Sequence, residues 1–297
     1  MAPDYVQRFV FEDLNVRGRL VCLTRAWQRM LEGRDHPAEV AALLGHATAL
    51  AVLLAANRKG SGRITLQVQG SGPVDLLVAD CDATLRIRGM ARYARGATAG
   101  RSERALLGDG RLALTLDDAA SGQLYQSLVP LEGESMAEIF EHYLAQSEQV
   151  PAFLRLRADA GALAGLLLEK LPEADARDPD GWRRVSHLGS TLSLADARAA
   201  RAQDLLVRLF PGELLRVFPL DAVEYHCPYD PRKVAEMLRG LGRAEVEAML
   251  AGRDEIVIRN EMCNHEYRFD AAAVAALFDR DAAAPGAPLD QPGARRR

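Results

Sequence analysis

The sequence predicts an α+β fold with three parts: a mixed α/β N-terminal domain whose antiparallel sheets pack on helices, a helical linker, and a small C-terminal α/β module. In the N-terminal half, apolar and polar residues alternate over several short stretches, which is typical of half-buried strands. An Ala- and Leu-rich stretch between Pro37 and Asn57 predicts one long helix with the proline at its start. Beyond Gly181 the apolar residues recur at helical spacing among many charges.

The composition is that of a globular protein. The chain has 297 residues, a formal net charge of −4 and 26% charged residues, which excludes a disordered chain and a disulfide-dense mini-protein. The mild acidity argues against a nucleic-acid partner. The sequence starts without a secretory signal, and the apolar stretch at 40–56 is too short and too interrupted for a membrane span. With four widely spread cysteines, these features predict a cytoplasmic protein without a membrane partner.

The predicted elements of the N-terminal domain follow in chain order. Alternation predicts strands at 16–22, 64–69, 74–78, 85–92 and 112–116. Further strands are predicted at 125–131 and between 153 and 171. The turn at 70–73 joins two of them as a hairpin, and 94–110 is predicted as a loop. Thr24 is expected to cap a short helix ending at Leu31. Ser135 and Glu138 form a capping-box pattern at the start of a helix that ends before Pro151.

An acidic, proline-bearing stretch at 172–181 marks a domain boundary. The chain then divides into an α/β domain (1–171), a helical linker (172–219), a small C-terminal module (220–279) and a disordered tail (280–297). The linker carries few large apolar residues before Leu205, so we expect it to be marginally stable. The module is predicted to hold helices at 234–241, 246–250 and 274–278 and a hairpin with strands at 256–258 and 267–269.

Common catalytic and nucleotide-binding motifs are missing from the sequence. The Gly70-Ser71-Gly72 turn leads into a strand, whereas a phosphate loop needs a helix N-terminus there. G-x-S-x-G and H-E-x-x-H do not occur. Cys22 lies on the inward side of its strand and Cys81 lies between two aspartates, so both are predicted to be unreactive. The sequence therefore predicts a protein that is not an enzyme and binds no nucleotide.

The C-terminal module contains two pairs of soft or borderline metal ligands. His226 and Cys227 enter the module, and Cys263 and His265 lie at the turn of its hairpin. Small modules often need a metal or a crosslink to hold their fold. The four side chains would supply a complete zinc site, but adjacent side chains of an extended chain point to opposite faces. The alternative is a metal-free hairpin in which Cys227 and Cys263 are buried partners.

Six stretches of the chain carry a family resemblance. They read QRFVFEDLNVRGRLVCLTRAW, HPAEVAALLGHATALAVLLAANRKGSGRITLQVQGSGPVDLLVADC, LRIRGMARY, LALTLDDA, YQSLVPLEGESMAEIFEHYLAQSEQVPAFLRL and CNHEYRFD. On these stretches, which run over most of the chain, the sequence resembles the bacterial HslO family of heat-shock, redox-regulated holdase chaperones. The resemblance implies an α/β chaperone domain, a helical linker that covers a client-binding surface, and a C-terminal zinc domain that senses oxidation.

The resemblance also implies a redox switch, from which this sequence departs. In the family, a C-x-C pair and a C-x-x-C pair hold zinc, and oxidation forms a disulfide within each pair, releases the metal and exposes apolar surface. Here Tyr229 and Asn260 stand where the family has cysteines, so that only Cys227 and Cys263 remain. Neither disulfide within a pair can form, and the four-cysteine zinc site is absent.

Three arrangements of the module remain open. In the first, zinc persists with His226, Cys227, Cys263 and His265 as ligands. In the second, Cys227 and Cys263 form one disulfide that closes a loop of roughly 37 residues and stabilises the module by about 3–4 kcal/mol. This bond would clamp the module shut, which is the reverse of the family's switch. In the third, the module binds no metal, and the chaperone is constitutive or activated by heat alone.

The resemblance favours an ATP-independent holdase that binds unfolded or partly unfolded clients and is a homodimer when active. Candidate client surfaces are the apolar faces of the strands between 64 and 131 and the linker segment at 205–210. One alternative is a thiol- or zinc-dependent enzyme that uses His226 and Cys227. The other is a regulatory binding module without holdase activity.

Overall fold

The computed structural model describes residues 4–57, 62–118 and 122–279. The chain forms two compact units, Met1–Cys227 and Pro228–Arg297. The predicted disordered tail at 280–297 lies outside the described residues. The finer division of the first unit into an α/β domain and a linker stays a prediction.

The described part of the first unit contains two six-stranded sheets and eight helices. In chain order its elements are β1 (Tyr5–Phe11), β2 (Val16–Leu23), α1 (Arg25–Leu31), α2 (Ala38–Ala55), β3 (Gly62–Gly70), β4 (Val74–Asp82), β5 (Arg86–Tyr93), α3 (Glu103–Leu107), β6 (Gly110–Asp118), β7 (Gln123–Pro130), α4 (Met136–Ser147), β8 (Ala152–Ala158), β9 (Leu163–Lys170), α5 (Ala174–Arg177), α6 (Gly181–Gly189), α7 (Leu194–Ala199), α8 (Ala202–Leu209), β10 (Leu215–Val217), β11 (Asp221–Ala222) and β12 (Glu224–Tyr225).

The first sheet has the strand order β10-β1-β2-β9-β8, and β11 also pairs with β1. All of these pairings are antiparallel. Strand β1 was not predicted from the sequence. Most of its residues are buried, whichever face they lie on, so it lacks the clean alternation that reveals a half-buried strand.

The second sheet has the order β12-β5-β4-β3-β6-β7. Its five long strands were predicted. Consecutive strands pair antiparallel as β3–β4, β4–β5 and β6–β7, and β3 also pairs antiparallel with β6 from further along the chain. The sixth strand, β12, was not predicted, since it is only two residues long and joins β5 in parallel from a distant part of the chain. The predicted α+β class with antiparallel sheets on helices is confirmed.

Helix α2 lies in the main hydrophobic core and contacts strands of both sheets. By length and hydropathy this helix could cross a membrane, but 72% of it is buried inside the fold. A helix that is apolar all round is expected to be buried in this way. Gly45 permits its closest packing, because a Cβ there would lie 2.4 Å from the Cβ of Ala158. The prediction of a buried core helix is confirmed.

A second core lies between the other face of the first sheet and the helices α6, α7 and α8. It contains Phe9 and Phe11 from β1, and Leu205, Leu206 and Phe210 from the end of the helical segment. The helices thus bury more apolar surface than their charged sequence suggests, because Val185, Leu192 and several alanines also enter this core.

Of the two helix N-terminal caps predicted from the sequence, one is confirmed and one is wrong. The Ser135 hydroxyl accepts a hydrogen bond from the Glu138 backbone N–H at 3.3 Å, as the capping box predicts. Thr24 makes no side-chain cap at α1. The Asp4 carboxylate replaces it, accepting the backbone N–H groups of Thr24 and Ala26 at 2.5 and 2.6 Å. The predicted loop at 94–110 also contains the short helix α3, capped by Ser102.

The second unit contains α9 (Pro231–Leu241), α10 (Arg243–Leu250), β13 (Glu255–Asn260), β14 (His265–Asp270) and α11 (Ala271–Phe278), as predicted. Strands β13 and β14 form an antiparallel hairpin with Ile256 opposite Phe269 and Ile258 opposite Tyr267. The three helices pack on it around a small core of Leu238, Val246, Ile256, Tyr267, Phe269 and Val274.

Candidate functional site

The cysteines divide into two kinds. Cys22 and Cys81 are buried free thiols. Burial raises the pKa of Cys22 to about 12. Burial, with the carboxylates of Asp82 and Asp80, raises the pKa of Cys81 even further. Because the thiolate is the reactive form, both residues are unreactive, in agreement with their predicted structural role.

Cys227 and Cys263 lie at disulfide distance from each other. Cys227 is half-buried and Cys263 is buried. These are the two cysteines that remain from the four-cysteine pattern. Their pairing matches one of the three arrangements left open by the sequence.

Tyr229 occupies one of the two positions at which the family resemblance implies a cysteine. Its ring stacks on Tyr267 with ring centroids 4.7 Å apart and planes within 6° of parallel. The imidazole of His265 meets the Tyr229 ring edge-on at 5.6 Å. The Tyr267 hydroxyl also accepts the backbone N–H of Asp230 at 3.1 Å. Tyr229 thus joins the start of the module to strand β14 by aromatic packing.

Asn260 occupies the other position and shapes the hairpin turn. Its side-chain Oδ1 accepts the backbone N–H groups of Met262 at 3.0 Å and Cys263 at 3.3 Å. Its backbone carbonyl accepts the N–H of Asn264 at 2.7 Å. Asparagine favours such turns because its side chain can replace a backbone acceptor. Asn264 completes the turn with a positive φ of 58°, which asparagine tolerates well.

These contacts bear on the zinc site that the family resemblance implies. Within the described ranges, no three His, Cys, Asp or Glu side chains come together in a way that could hold a metal ion. When the sulfurs of Cys227 and Cys263, which lie at disulfide distance, are joined to each other, neither is the thiolate that zinc requires. The Asn260 side-chain oxygen is already engaged by the turn. The proposed set of His226, Cys227, Cys263 and His265 therefore does not fit zinc in this state.

The two candidate client surfaces are both largely covered. The inward faces of the strands between 64 and 131, such as Leu66 and Leu114, belong to the main core. In the linker segment, Leu205, Leu206 and Phe210 are buried in the second core, whereas Val207 is 67% exposed. Apart from strand β7, neither surface is available to a client unless an element moves.

Phe210 lies at the centre of an aromatic cluster in the second core. Its ring centroid is 5.0 Å from that of Phe11 in an edge-to-face arrangement and 6.0 Å from that of Phe9. The Phe9 ring covers Gly18, where a Cβ would lie 2.1 Å from the ring. Removing α8 would uncover this cluster. The sequence indicated the segment that contains Phe210 as a candidate surface, but it did not indicate the residues of β1 that Phe210 contacts.

Strand β7 was predicted from the sequence, but its exposure was not. On β7, Leu124, Tyr125 and Leu128 are 66%, 54% and 60% exposed. A strand was predicted at 125–131, and only Val129 of β7 is buried. The available signal was the absence of any charge between Gln123 and Pro130.

Comparison with known proteins assigns the family. The family model described as Hsp33 protein matches residues 4–270. The 33 kDa chaperonin of Methylobacillus flagellatus is 38% identical over 285 residues, covering 95% of this chain and 97% of the relative. The 33 kDa chaperonin of Chromobacterium violaceum is also 38% identical, over 283 residues, with coverages of 95% and 96%.

A solved structure supports the fold. The crystal structure of the 33 kDa chaperonin from Thermotoga maritima matches with a TM-score of 0.74 and covers 92% of this chain and 97% of that one. Its sequence identity is 20%, so it bears on the fold alone. The family match and the 38% identical relatives both extend over nearly the whole chain, and the chain therefore belongs to the Hsp33 family of chaperonins.

Proposed function

We propose that this protein is an ATP-independent holdase that binds unfolding proteins in the cytoplasm, is a homodimer when active, and is not an enzyme. The observation that carries the proposal is the second core, considered with the family membership. Helices α6 to α8 are short, and they cover a strongly apolar sheet face that bears Phe9 and Phe11. An unfolding client would bind this face once the helices separate from it.

The helical cover is suited to opening before the rest of the fold. The three helices are nine, six and eight residues long, and isolated helices of this length are unstable in water. Their stability therefore comes from packing on the sheet. Segments of this kind open with a lower free energy than the central strands. Stress that weakens the contact would expose apolar surface while the main core stays folded.

The redox response of this protein is proposed to run through one disulfide. Oxidation of Cys227 and Cys263 removes two protons and two electrons and joins the two sulfurs; hydrogen peroxide would accept the electrons and leave as two molecules of water. The bond closes a loop of roughly 37 residues, which stabilises the module by about 3–4 kcal/mol in the chain-entropy model. Support comes from the disulfide distance between the two cysteines and from the aromatic and turn contacts made by Tyr229 and Asn260. No zinc is required in this scheme.

The experiment measures light scattering by a heat-unfolding client with the full chain, either reduced or treated with peroxide. Zinc content and free thiols are counted on the same samples, and Cys227→Ser is the matched control. We expect suppression of client aggregation in both redox states, less than one zinc per ten chains, and loss of two thiols on oxidation in the wild type only.

The two parts of the proposal fail separately. Absence of suppression in every state would refute the holdase function. One zinc per chain that is lost on oxidation would refute the metal-free disulfide while leaving the holdase function intact.

A further inference from the structure

The edges of the two large sheets differ in how they are protected. An exposed strand edge presents unpaired N–H and C=O groups, and proteins usually block it with charges, with short strands or with a covering group. Edge strand β8 carries Arg155 and Arg157, and the Glu141 carboxylate accepts its Leu154 N–H at 2.6 Å. Edge strands β10 and β12 are only three and two residues long.

Strand β7 lacks these three protections, although its last residue is Pro130, and proline is a further edge-blocking residue. It is eight residues long, ends the second sheet, and has no charged side chain. Apart from β6, no group in the described part of the chain bonds to the main chain of residues 124–129. Both faces of the strand show apolar side chains at this edge, because Leu124 and Leu128 lie on one face and Tyr125 on the other.

We propose that β7 is a strand-addition site, at which an extended apolar segment of an unfolding client pairs with the free edge of the second sheet. This inference rests on the proposed holdase function and adds a second client site to it. Main-chain hydrogen bonds supply affinity in strand addition, and they are the same for every sequence. Binding through the main chain suits a client that is recognised because it is unfolded and not by its sequence. Leu124, Tyr125 and Leu128 add a preference for apolar side chains.

A client fits this edge better than a second copy of the chain does. A stable protein–protein interface uses about 20–30 residues from each partner, and one strand of eight residues supplies far fewer. A weak and reversible contact is sufficient for a holdase. Among the described residues nothing but β6 pairs with the main chain of residues 124–129 in the folded state, whereas the second core must open before it can bind a client. Strand β7 would therefore capture clients before the helices separate.

The first arm of the experiment uses a fluorescent eight-residue peptide of alternating valine and threonine, added to the full chain. A matched peptide is N-methylated at every second residue, which removes hydrogen-bond donors along one edge and keeps the side chains. Leu124→Lys/Leu128→Lys is the test variant. Val257→Lys, on the exposed side of β13 where Val257 is 46% exposed, is the control. We expect at least tenfold weaker binding of the methylated peptide, and at least tenfold weaker binding of the plain peptide to the double variant only.

The second arm measures suppression of client aggregation by the same proteins. We expect the double variant to need several-fold more protein than the wild type, with an unchanged urea midpoint and circular dichroism spectrum. Equal binding of the two peptides would overturn strand addition, and so would a double variant that binds peptide and suppresses aggregation like the wild type. A wild type that binds no peptide but sediments as a dimer, with a monomeric double variant, would assign the edge to a second copy. If the wild type fails to suppress aggregation, the holdase proposal fails, while the peptide arm still tests the edge.

Discussion

At the residue scale, His36 shows how one half-buried side chain makes the fold sensitive to pH. Its ring lies edge-on to Tyr93 with centroids 5.5 Å apart, and neither ring nitrogen has a hydrogen-bond partner among the described residues. Burial, helped by the nearby Arg34 charge, lowers the pKa of His36 from 6.5 to about 4. Folding therefore favours the neutral imidazole.

The pH dependence of stability follows from this shift. The unfolded chain takes up a proton on His36 near pH 6.5, whereas the folded chain does so only near pH 4. The contribution is thus fully present above pH 6.5 and is lost as the pH falls to about 4. We expect the urea midpoint of the wild type to fall more over this range than that of His36→Phe, which keeps the ring against Tyr93. Parallel midpoint curves for the two proteins would contradict this.

Tyr229 and Asn260, at the two positions where the resemblance implies cysteine, make contacts that the sequence alone could not predict. Tyr229 packs on Tyr267, and the Asn260 side chain accepts two N–H groups of the turn. Both residues make contacts that hold the hairpin together. The sequence alone could show that zinc ligands were missing, but not what replaced them, because a ring stack and a side-chain turn depend on three-dimensional placement.

At the scale of elements, helix α1 depends on a cap from a distant residue. The Asp4 carboxylate accepts the backbone N–H groups of Thr24, Arg25 and Ala26 at 2.5, 3.2 and 2.6 Å. The first N–H groups of a helix have no partner within the helix. A negative charge there also interacts favourably with the helix dipole.

We expect Asp4→Ala to lower the free energy of unfolding by about 1–2 kcal/mol, the usual cost of losing a helix cap. Asp4→Asn should recover part of this loss, because it keeps an acceptor without the charge. Thr24→Val is the matched control, since its hydroxyl does not cap the helix, and we expect a smaller effect. Urea unfolding followed by circular dichroism measures all three variants. A larger loss for Thr24→Val than for Asp4→Ala would show that the predicted Thr24 cap is the important one.

The elements also show which parts of the fold a sequence can predict. The strands from β3 to β7 and the C-terminal hairpin were predicted because they alternate or because their partners are close in sequence. Strand β1 was missed because it is covered on both faces, and β10 to β12 because they pair with strands far away in sequence. The cap of α1 was misassigned for the same reason, since Asp4 is twenty residues from Thr24.

At the scale of the whole molecule, the two hydrophobic cores of the first unit are built from different elements. The main core surrounds α2 and includes strands of both sheets. The second core depends on one sheet face and on short helices with charged outer surfaces. Loss of contacts in the second core should therefore release the helices while the main core remains folded. This difference makes a graded response to stress physically reasonable.

Phe210→Ala tests this separation. Phe210 is 1% exposed and contacts both Phe9 and Phe11, and truncation of a buried phenylalanine costs about 3–5 kcal/mol. We expect the variant to bind a hydrophobic dye and to suppress client aggregation at a lower temperature than the wild type. Leu214→Ala removes a side chain that is 64% exposed and should leave both properties unchanged. If Phe210→Ala does not fold, the same two measurements are made on the milder variant Phe210→Leu. A variant that opens and binds the dye yet suppresses aggregation no earlier than the wild type would show that the second core does not bind clients.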